Sequence, residues 1–260
     1  IEDWRGAAQA TFVDYSLSRD GLSSGSSGSL AAEATPSPVV GAPVRAVEPD
    51  GAVAQWRFDE GAGRSTLEET SGTNCAIGGP GARFRRGVSG TALAFDGAHS
   101  DVVLPAAAVP EVESTVTVEA WIAVAAYPWN WCPVLRWGDP DGVYLGLDAR
   151  GRPGFMVLTE QGRQDLVGET PTGRQRWVHL VGVFDGEAGT LELYVDGELA
   201  AAGKVARARV RGTSSEIHLG RSTPLAASDP VRQHSYAAPY SFDGLIDEVR
   251  IHDRALSAAE

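Results

Sequence analysis

The chain contains very little cysteine, methionine and lysine. Its 260 residues include two cysteines and one methionine, and Lys204 is the single lysine among 22 basic residues. No apolar run approaches the roughly 20 residues that a membrane-spanning helix requires, so no membrane insertion is expected in this stretch. The patterns CxxC, HExxH and the EF-hand loop are also missing, and the GxSxG match at residues 21–25 lies in a Gly/Ser-rich stretch rather than at the strand-to-helix turn that a nucleophile requires. The sequence therefore excludes the commonest zinc, serine-hydrolase and EF-hand calcium sites.

Positive charge is scarce as well. The formal net charge is −12 and the isoelectric point is near 4.9. A nucleic-acid or anionic-membrane partner would require a basic face, so the sequence predicts neither partner. Hydrophobic residues make up 43% of the chain and charged residues 22%, which is ordinary for a soluble globular protein.

The composition divides the chain into three regions. Residues 1–20 are predicted to be the end of an upstream region, with a short helix in part of it. Residues 21–49 are dominated by Gly, Ser, Ala and Pro, which is linker composition. Residues 50–258 are predicted to form one β domain. Because the first residue is Ile1, with neither Met nor a basic-then-apolar leader, we expect a mature or excised piece of a longer protein.

The β domain is predicted from short alternating or β-branched runs separated by turn residues. Asp-Gly pairs occur at 96–97, 185–186, 196–197 and 243–244. The clearest hairpin spans residues 190–201, where Asp196-Gly197 joins two apolar runs and both turn residues tolerate a positive φ. Many short strands without a long helical pattern predict an all-β, two-sheet antiparallel sandwich of the jelly-roll kind.

The last predicted strand carries a carboxylate in an apolar register. Strict alternation over residues 243–252 places Asp247 on the same side as Leu245 and Val249. A core-facing carboxylate must be paired, hydrogen-bonded or metal-bound, because burying it bare is too unfavourable. The same alternation sends Asp247 and Glu248 to opposite faces, which excludes them as a pair of catalytic acids.

Seven segments along the chain carry recognisable strand motifs. They are Val53–Gly63, Gly90–Gly97, Val116–Ile122, Trp177–Gly186, Leu193–Gly197, Ile217–Gly220 and the closing segment Ser241–Ser257. Together and in this order they resemble the strands of bacterial laminin G-like (LamG-like) jelly-roll domains, in the concanavalin A-like lectin/glucanase group. The resemblance implies an antiparallel β-sandwich and places Trp56, Trp121 and Trp177 at positions of core aromatics. It says much less about function, because one fold hosts many functions.

The resemblance also implies a structural calcium ion. Many domains of this group hold Ca²⁺ between the first and last strands, which makes Asp247 the candidate ligand, with Asp59 and Glu60 nearby if those strands pair. Ca²⁺ takes six to eight oxygen ligands, so one carboxylate with backbone carbonyls is chemically reasonable. The alternative is that Asp247 accepts hydrogen bonds from the backbone or an arginine without metal.

A tryptophan-rich segment is the main candidate for ligand binding. Trp129 and Trp131 lie between two prolines in an irregular stretch, and Trp137 follows. Exposed flat rings stack on the apolar faces of sugars, whose hydroxyls need polar neighbours. The polar candidates that follow are Arg136, Asp139 and Asp141. The alternative is that one or two of these tryptophans cap the sandwich.

A second aromatic-rich loop, His234–Tyr240, precedes the closing strand and replaces a shorter connection common in the family. Loops on a rigid β scaffold commonly carry specificity, so Tyr236 and Tyr240 are further candidates for ligand contact. The alternative is that both tyrosines pack against their own loop.

The two cysteines leave two alternatives open. In an exported protein Cys75 and Cys132 could form one disulfide, tying the early Gly-rich segment to the loop after Trp131. They could equally be two separate buried thiols, because sequence does not show whether their Cβ atoms meet.

The functional expectation is a non-catalytic module. Family-16 glucanases of this fold carry a Glu-x-Asp-x-Glu motif on one strand, and this sequence has no such motif. We expect a carbohydrate-binding or adhesion-type module of a larger protein that is extracellular, periplasmic or on the cell surface. The alternative is a structural or protein-interaction module that packs on a partner domain. A glycan-active enzyme would require two carboxylates about 5–10 Å apart in an open cleft.

Overall fold

The computed structural model describes residues 51–128, 130–138, 142–221, 241–258 and 260. All of these residues belong to one compact unit. The predicted upstream region and linker lie outside the described residues. The same holds for the candidate ligand residues Trp129, Asp139, Asp141, Tyr236 and Tyr240.

Sixteen strands and one short 3-10 turn, Ala106–Ala108, make up the described regular structure. The strands are β1 Ala54–Trp56, β2 Ser65–Glu68, β3 Thr73–Gly78, β4 Arg83–Arg86, β5 Thr91–Asp96, β6 Asp101–Leu104, β7 Thr115–Ala126, β8 Cys132–Trp137, β9 Val143–Leu147, β10 Pro153–Thr159, β11 Gly162–Val167, β12 Trp177–Asp185, β13 Thr190–Val195, β14 Glu198–Lys204, β15 Ile217–Leu219 and β16 Asp243–His252. In the part of the chain that the structure describes, no helix is long and apolar enough to cross a membrane.

The strands form two eight-stranded antiparallel sheets. Sheet A has the order β14-β13-β12-β7-β16-β5-β4, and β1 pairs with β16 beside it. Sheet B has the order β11-β10-β9-β8-β15-β6-β3-β2. The all-β, two-sheet antiparallel sandwich predicted from the sequence is confirmed. The pairing of β1 with β16 also confirms that the first and last strands of the domain are neighbours.

The predicted hairpin at residues 190–201 is confirmed in detail. Strands β13 and β14 pair directly, with Val195 opposite Glu198. The two turn residues both have positive φ, 52° for Asp196 and 79° for Gly197. This is the primed turn geometry that matches the twist of the flanking strands, and Asp-Gly is a preferred pair for it.

The core lies between the two sheets and is built from alternate residues of facing strands. Its largest fully buried side chains include Trp56, Trp137, Phe58, Phe155, Phe184 and Phe242. Burying one aromatic or large aliphatic side chain stabilises the fold by roughly 1.5–3 kcal/mol. The two apolar inner faces therefore determine which side of every strand points outward.

Strand β16 departs from the strict alternation predicted for it. Ile246 and Val249 both belong to the core although they are three residues apart. A β-bulge between Asp247 and Arg250 makes this possible, and Glu248 has a φ of 47° within it. The bulge inserts one extra residue, so Asp247 and Glu248 both point away from the core. The prediction that these two acids occupy opposite faces is wrong.

The predicted core positions of the strand tryptophans are only partly correct. Trp56 is completely buried in the core. In β7, however, Ala120 and Ile122 belong to the core, so Trp121 points to the opposite face and is only partly buried. Trp177 likewise packs against a small apolar cluster outside the core. The face on which an aromatic residue lies follows from strand register and not from residue type.

Candidate functional site

The outer face of sheet B, which points away from sheet A, carries a row of long side chains. In β8 the core residues Leu135 and Trp137 flank Arg136, which therefore points outward. Arg136 lies directly opposite Tyr144 of β9, and Tyr144 lies opposite Met156 of β10. All three outward side chains are nearly covered, with 3%, 6% and 7% of their surfaces exposed. The row is therefore packed although it lies outside the core.

Trp131 lies beside this row and stays partly exposed. Its ring covers Gly154, where an added Cβ would come within 2.3 Å of the indole. The ring meets Tyr144 edge-on, with centroids 6.1 Å apart and an angle of 84° between the planes. Gly154 is paired with Gly146 of β9, so the strand surface beside the indole lacks side chains. We call Trp131, Arg136, Tyr144, Gly146 and Gly154 the Trp131 surface.

Trp131 belongs to the loop that connects β7 to β8. The start of this loop is held by the turn between β9 and β10. The ring of Tyr127 lies over Gly151 of that turn, and the guanidinium of Arg174 is 6.0 Å from the ring centroid. Asp148 closes the turn through an ion pair with Arg152 at 2.7 Å. Burial acts to raise the pKa of Asp148, but backbone and side-chain hydrogen bonds from Arg152 outweigh it and lower the pKa. Both described aromatic residues of the loop are thus anchored on glycines of one hairpin.

The structure places two of the predicted ligand residues on one face and places a third in the core. Trp131 and Arg136 share the outer face of sheet B, as described above. Trp137 does not, because its side chain is fully buried in the core. Its indole N–H donates a hydrogen bond to the carbonyl oxygen of Thr213 at 2.9 Å, which satisfies its only polar group. The prediction of Trp137 as a ligand residue is wrong. Tyr144, Gly146 and Gly154 were missed, because only the register places them beside Trp131.

Asp247, the candidate calcium ligand, holds the turn between β4 and β5. Its Oδ2 accepts hydrogen bonds from the backbone N–H groups of Val88 at 2.8 Å and Ser89 at 3.3 Å. Its Oδ1 accepts the N–H of Glu248 at 2.9 Å. Burial raises the pKa of Asp247 to about 8 and the nearby Glu248 carboxylate adds to the rise, while these N–H groups oppose it. Asp247 thus accepts hydrogen bonds from the backbone of the turn and of its own strand.

The two other calcium candidates are also hydrogen-bonded. Asp59 accepts the N–H of Thr91 at 2.8 Å, at the far end of the same turn. One oxygen of Glu60 accepts hydrogen bonds from the hydroxyl of Thr66 and the N–H of Leu67, both at 2.8 Å. Within the described ranges, no three or more His, Cys, Asp or Glu side chains are grouped to hold a metal ion. The residues present do not converge as a ligand set, and calcium here stays a prediction.

The candidate disulfide between Cys75 and Cys132 is not formed. Both cysteines are free and buried. They lie on β3 and β8, which are separated in sheet B by β6 and β15. Three strand spacings of about 4.8 Å place the backbones roughly 14 Å apart across the sheet, about twice the longest Cα separation that a disulfide spans. The two-thiol alternative is the correct one.

Glu119 is the centre of a buried charged network on the outer face of sheet A. Its carboxylate lies 2.9 Å from Nε2 of His179, 3.3 Å from Nε2 of His252 and 3.7 Å from Arg250. Arg250 also pairs with Glu248 at 2.5 Å. Burial acts to raise the pKa of Glu119, but the hydrogen bonds from both histidines and the neighbouring positive charges lower it to about 2. The sequence offered one signal of this network, because polar residues occupy alternate positions at facing points of the neighbouring strands β7 and β16.

Two acidic residues face each other at the start of β16. Asp243 is directly opposite Asp96 of β5. Asp96 accepts hydrogen bonds on Oδ1 from the N–H groups of Ala98, His99 and Ser100, at 2.8–3.1 Å. Burial raises the pKa of Asp243 to about 6, and the charge of Asp96 adds to the rise. This end of the strand is therefore sensitive to pH in the mildly acidic range.

The two packed antiparallel sheets define a jelly-roll β-sandwich. The Trp131 surface lies on the outer face of one of them. The Laminin_G_3 family model, in the concanavalin A-like lectin/glucanases superfamily, matches residues 96–260. The chain belongs to this family. No curated protein sequence matches the chain.

Solved structures with the same fold include sugar complexes. Domain 4 of AbnA, an extracellular GH43 arabinanase from Geobacillus stearothermophilus solved with arabinotriose, matches 80% of this chain and 95% of its own, at 19% identity and a TM-score of 0.59. The binding domain of Paraclostridial Mosquitocidal Protein 1 matches 81% of this chain and 50% of its own, at 14% identity and a TM-score of 0.59.

The ligand-binding domain of botulinum neurotoxin serotype D, solved with N-acetylneuraminic acid, matches 81% of this chain and 49% of its own, at 13% identity and a TM-score of 0.59. The chain thus spans about half the length of the toxin domains. At these identities the likeness shows the fold alone.

Proposed function

We propose that the β-sandwich is a non-catalytic carbohydrate-binding module of a larger exported or surface protein, with the Trp131 surface as its binding site. The observation that carries the proposal is the partly exposed indole of Trp131, held over Gly154 and braced edge-on by Tyr144. A ring whose position is set by packing offers a flat apolar face to a sugar without losing side-chain freedom on binding. Arg136 belongs to the same packed row, opposite the Tyr144 that braces the indole.

The structural likenesses support glycans as the ligand class. The arabinanase domain was solved with arabinotriose and the neurotoxin domain with N-acetylneuraminic acid. Both share the sandwich fold with this chain, and the Laminin_G_3 family lies in the superfamily of lectins and glucanases. These likenesses support a sugar as the ligand. Which sugar binds would be determined by the residues of the Trp131 surface.

The non-catalytic part of the proposal rests on burial. The bulge in β16 brings Asp247 and Glu248 to one face, so strand alternation no longer separates them. Their carboxylates are nonetheless 0% and 3% exposed, and each is engaged by N–H groups or by Arg250. A glycosidase requires its two carboxylates to flank the scissile bond in an accessible cleft. Release of reducing sugar from a polysaccharide that is lost in Glu248→Gln would contradict this part.

The binding test uses neutral oligosaccharides, arabinotriose first, with tryptophan fluorescence and calorimetry as readouts. Trp131→Ala should weaken binding by roughly tenfold or more, because a stacked aromatic contributes about 1–3 kcal/mol at such sites. Gly154→Ala tests the geometry separately, since the added methyl group displaces the indole while Trp131 remains in the chain. This variant should also bind less tightly.

The matched control is Trp121→Phe. Trp121 is another partly buried tryptophan, but it lies on sheet A, stacked on His179 with ring centroids 4.9 Å apart. Its replacement should leave the affinity for neutral sugar unchanged. An equal loss in Trp121→Phe would place the site elsewhere. Blank glycan arrays together with binding of a partner domain, lost in Trp131→Ala, would favour the protein-interaction alternative.

A further inference from the structure

Strand β11 forms a regular, free edge of sheet B. It pairs with β10 over Gly162–Val167 without a bulge, and it is the last strand of the described sheet on that side. Antiparallel pairs alternate between hydrogen-bonded and non-hydrogen-bonded ones. Gly168 donates its N–H to the carbonyl oxygen of Pro153 at 2.8 Å, so every second residue counted back from Gly168 bonds to β10. The backbone N–H and C=O groups of Arg163 and Asp165 therefore point away from β10, along the free edge.

The other three edges of the sandwich carry protection against pairing with another strand. Bulges, short strands and charges of one sign are the usual devices. Strand β14 has a bulge where it pairs with β13, and β2 and β4 have only four residues each. Three of the four residues of β4 are arginines, which would repel a second copy of that strand. Strand β11 has six residues and none of these devices.

The charges of β11 have opposite signs and lie on one face. Asp165 is opposite the outward residue Met156, and Arg163, two residues earlier, shares that outer face. The two side chains are 48% and 55% exposed, and their charged groups are 3.6 Å apart. Gln164 lies between them. A second β11 running antiparallel about Gln164 would therefore bring each Arg163 opposite the Asp165 of the other copy.

This register is the one that the charges allow. Sliding the second copy by two residues in either direction places Asp165 opposite Asp165 or Arg163 opposite Arg163, and like charges directly opposite are destabilising. Sliding it by one residue pairs side chains of opposite faces, which the pleat does not permit. In the allowed register the Arg163–Asp165 pairs fall where the backbone groups of both strands face each other, so each pair exchanges both backbone hydrogen bonds.

We propose that β11 is a self-association surface, through which two copies of this chain pair antiparallel about a two-fold axis at Gln164. The interface is isologous, as two-fold dimers require, because the same residues serve both copies. The two copies of sheet B then form one continuous antiparallel sheet. This goes beyond the function proposed above, because the pairing uses residues outside the Trp131 surface and involves no sugar.

The pairing also has a consequence for binding. The two-fold axis is perpendicular to the joined sheet, so both Trp131 surfaces lie on the same outer face. Gly154 beneath each indole is opposite Val167, three residues from the axis. Strand spacings of about 4.8 Å and a rise of about 3.4 Å per residue put the two Gly154 residues roughly 25 Å apart. One long polysaccharide could occupy both surfaces and gain avidity. Only this consequence rests on the carbohydrate-binding function.

Sedimentation velocity of the whole chain, without sugar, tests the pairing. The wild type should form a reversible dimer of twice the 27.3 kDa chain mass. Asp165→Arg puts arginine opposite arginine in both symmetric pairs and should raise the dimer dissociation constant by roughly tenfold, equivalent to about 1.4 kcal/mol. The double variant Arg163→Asp/Asp165→Arg restores opposite charges and should return the constant to within about threefold of the wild type.

The matched control is Glu113→Arg. It also reverses an exposed acid, whose partner Arg209 is 4.0 Å away, but it lies before β7 of sheet A and not on β11. Its dimer constant should match the wild type. Both single reversals make the net charge of −12 less negative, so overall repulsion alone would predict stronger association. A wild type that stays monomeric, an equal loss in Glu113→Arg, or a double variant that stays dissociated would overturn the proposal.

Cross-linking tests the register directly. The two Gln164 residues form the non-hydrogen-bonded pair on the axis, where Cα atoms are about 4.5 Å apart, within the range of a disulfide. Gln164→Cys should give a covalent dimer under mild oxidation, and both native cysteines are buried. The control Gln161→Cys, in the turn before β11, lies about 20 Å from its symmetry mate and should not. No dimer in Gln164→Cys, or equal cross-linking of both variants, would overturn this register.

Discussion

The carboxylate of Glu119 lies 3.7 Å from the guanidinium of Arg250, on the outer face of sheet A, and both residues are at least 95% buried. They are cross-strand partners in the β7–β16 ladder, which joins the longest strand to the closing strand. His179 and His252 occupy the remaining positions around the carboxylate. A charge at this depth is stable only because its partners surround it.

The first prediction follows from this pair. Glu119→Gln should destabilise the fold by about 3 kcal/mol, because removing one partner of a buried ion pair leaves the other insufficiently compensated. For a domain of this size the thermal midpoint should fall by roughly 6–12 °C. The control is Glu113→Gln, since Glu113 forms an exposed pair with Arg209 at 4.0 Å and such pairs contribute less than about 1 kcal/mol. Equal midpoints for the two variants would contradict the prediction.

The second prediction concerns pH and Asp243. Its pKa is about 6 in the folded state, raised by burial and by Asp96, against an ordinary value near 3.8. The folded state therefore holds a proton that the unfolded state releases, and stability declines as pH rises from about 4 to 6. Asp243→Asn removes this decline and should be more stable than the wild type at pH 7.5, by on the order of 1–2 kcal/mol. The difference should vanish at pH 4.

Denaturation curves at pH 4, 5.5 and 7.5 check this prediction. The control is Asp165→Asn on the exposed edge strand β11, where the aspartate side chain is 48% exposed and the variant should show no comparable pH-dependent gain. If Asp243→Asn shows no gain at pH 7.5, the apposition with Asp96 does not destabilise the ionised pair.

The third prediction concerns the thiols. Neither Cys75 nor Cys132 should react with a thiol reagent in the native protein, because both are buried. Burial also raises the pKa of Cys132 well above its ordinary value, so the reactive thiolate is depleted there. In denaturant without reductant, two thiols should titrate per chain. A result of zero would mean that a disulfide forms after all.

The fourth prediction concerns calcium at Asp247. A bound ion stabilises the folded state by mass action, by about 2.7 kcal/mol at a concentration 100 times its dissociation constant. If calcium binds as the family resemblance implies, its addition should raise the midpoint of the wild type and leave that of Asp247→Asn unchanged. Equal midpoints with calcium and with EDTA, in both proteins, would leave Asp247 as a hydrogen-bond acceptor for the turn at Val88 and Ser89.

Much of the fold could be predicted because its signals are local. The Asp196-Gly197 turn depends only on two residues that tolerate a positive φ, and the structure has it as predicted. The order of the strand segments likewise predicted the jelly-roll family. The face of each side chain was less predictable, since the bulge at Glu248 places Asp247 and Val249, two residues apart, on opposite faces of β16. A bulge depends on the pairing of two distant strands, which alternation within one strand does not reveal.

The candidate site shows the same division. Trp131 and Arg136 were predicted as ligand residues, and they do share one face, whereas Trp137, one position after Arg136, is turned into the core. Tyr144 and Gly154, which hold the indole of Trp131 in place, lie on other strands and have no sequence signal of their own.

By itself the sequence determined that this chain folds as an antiparallel β-sandwich of the concanavalin A-like group, because turn residues and apolar alternation act over a few neighbouring positions. Only the tertiary structure decided which side chains meet. Glu119 lies against Arg250, Asp247 against Val88, and Trp131 over Gly154. These contacts depend on strand order, register and a bulge. They are set when the whole domain buries its apolar surface away from water, and no local sequence pattern encodes that arrangement.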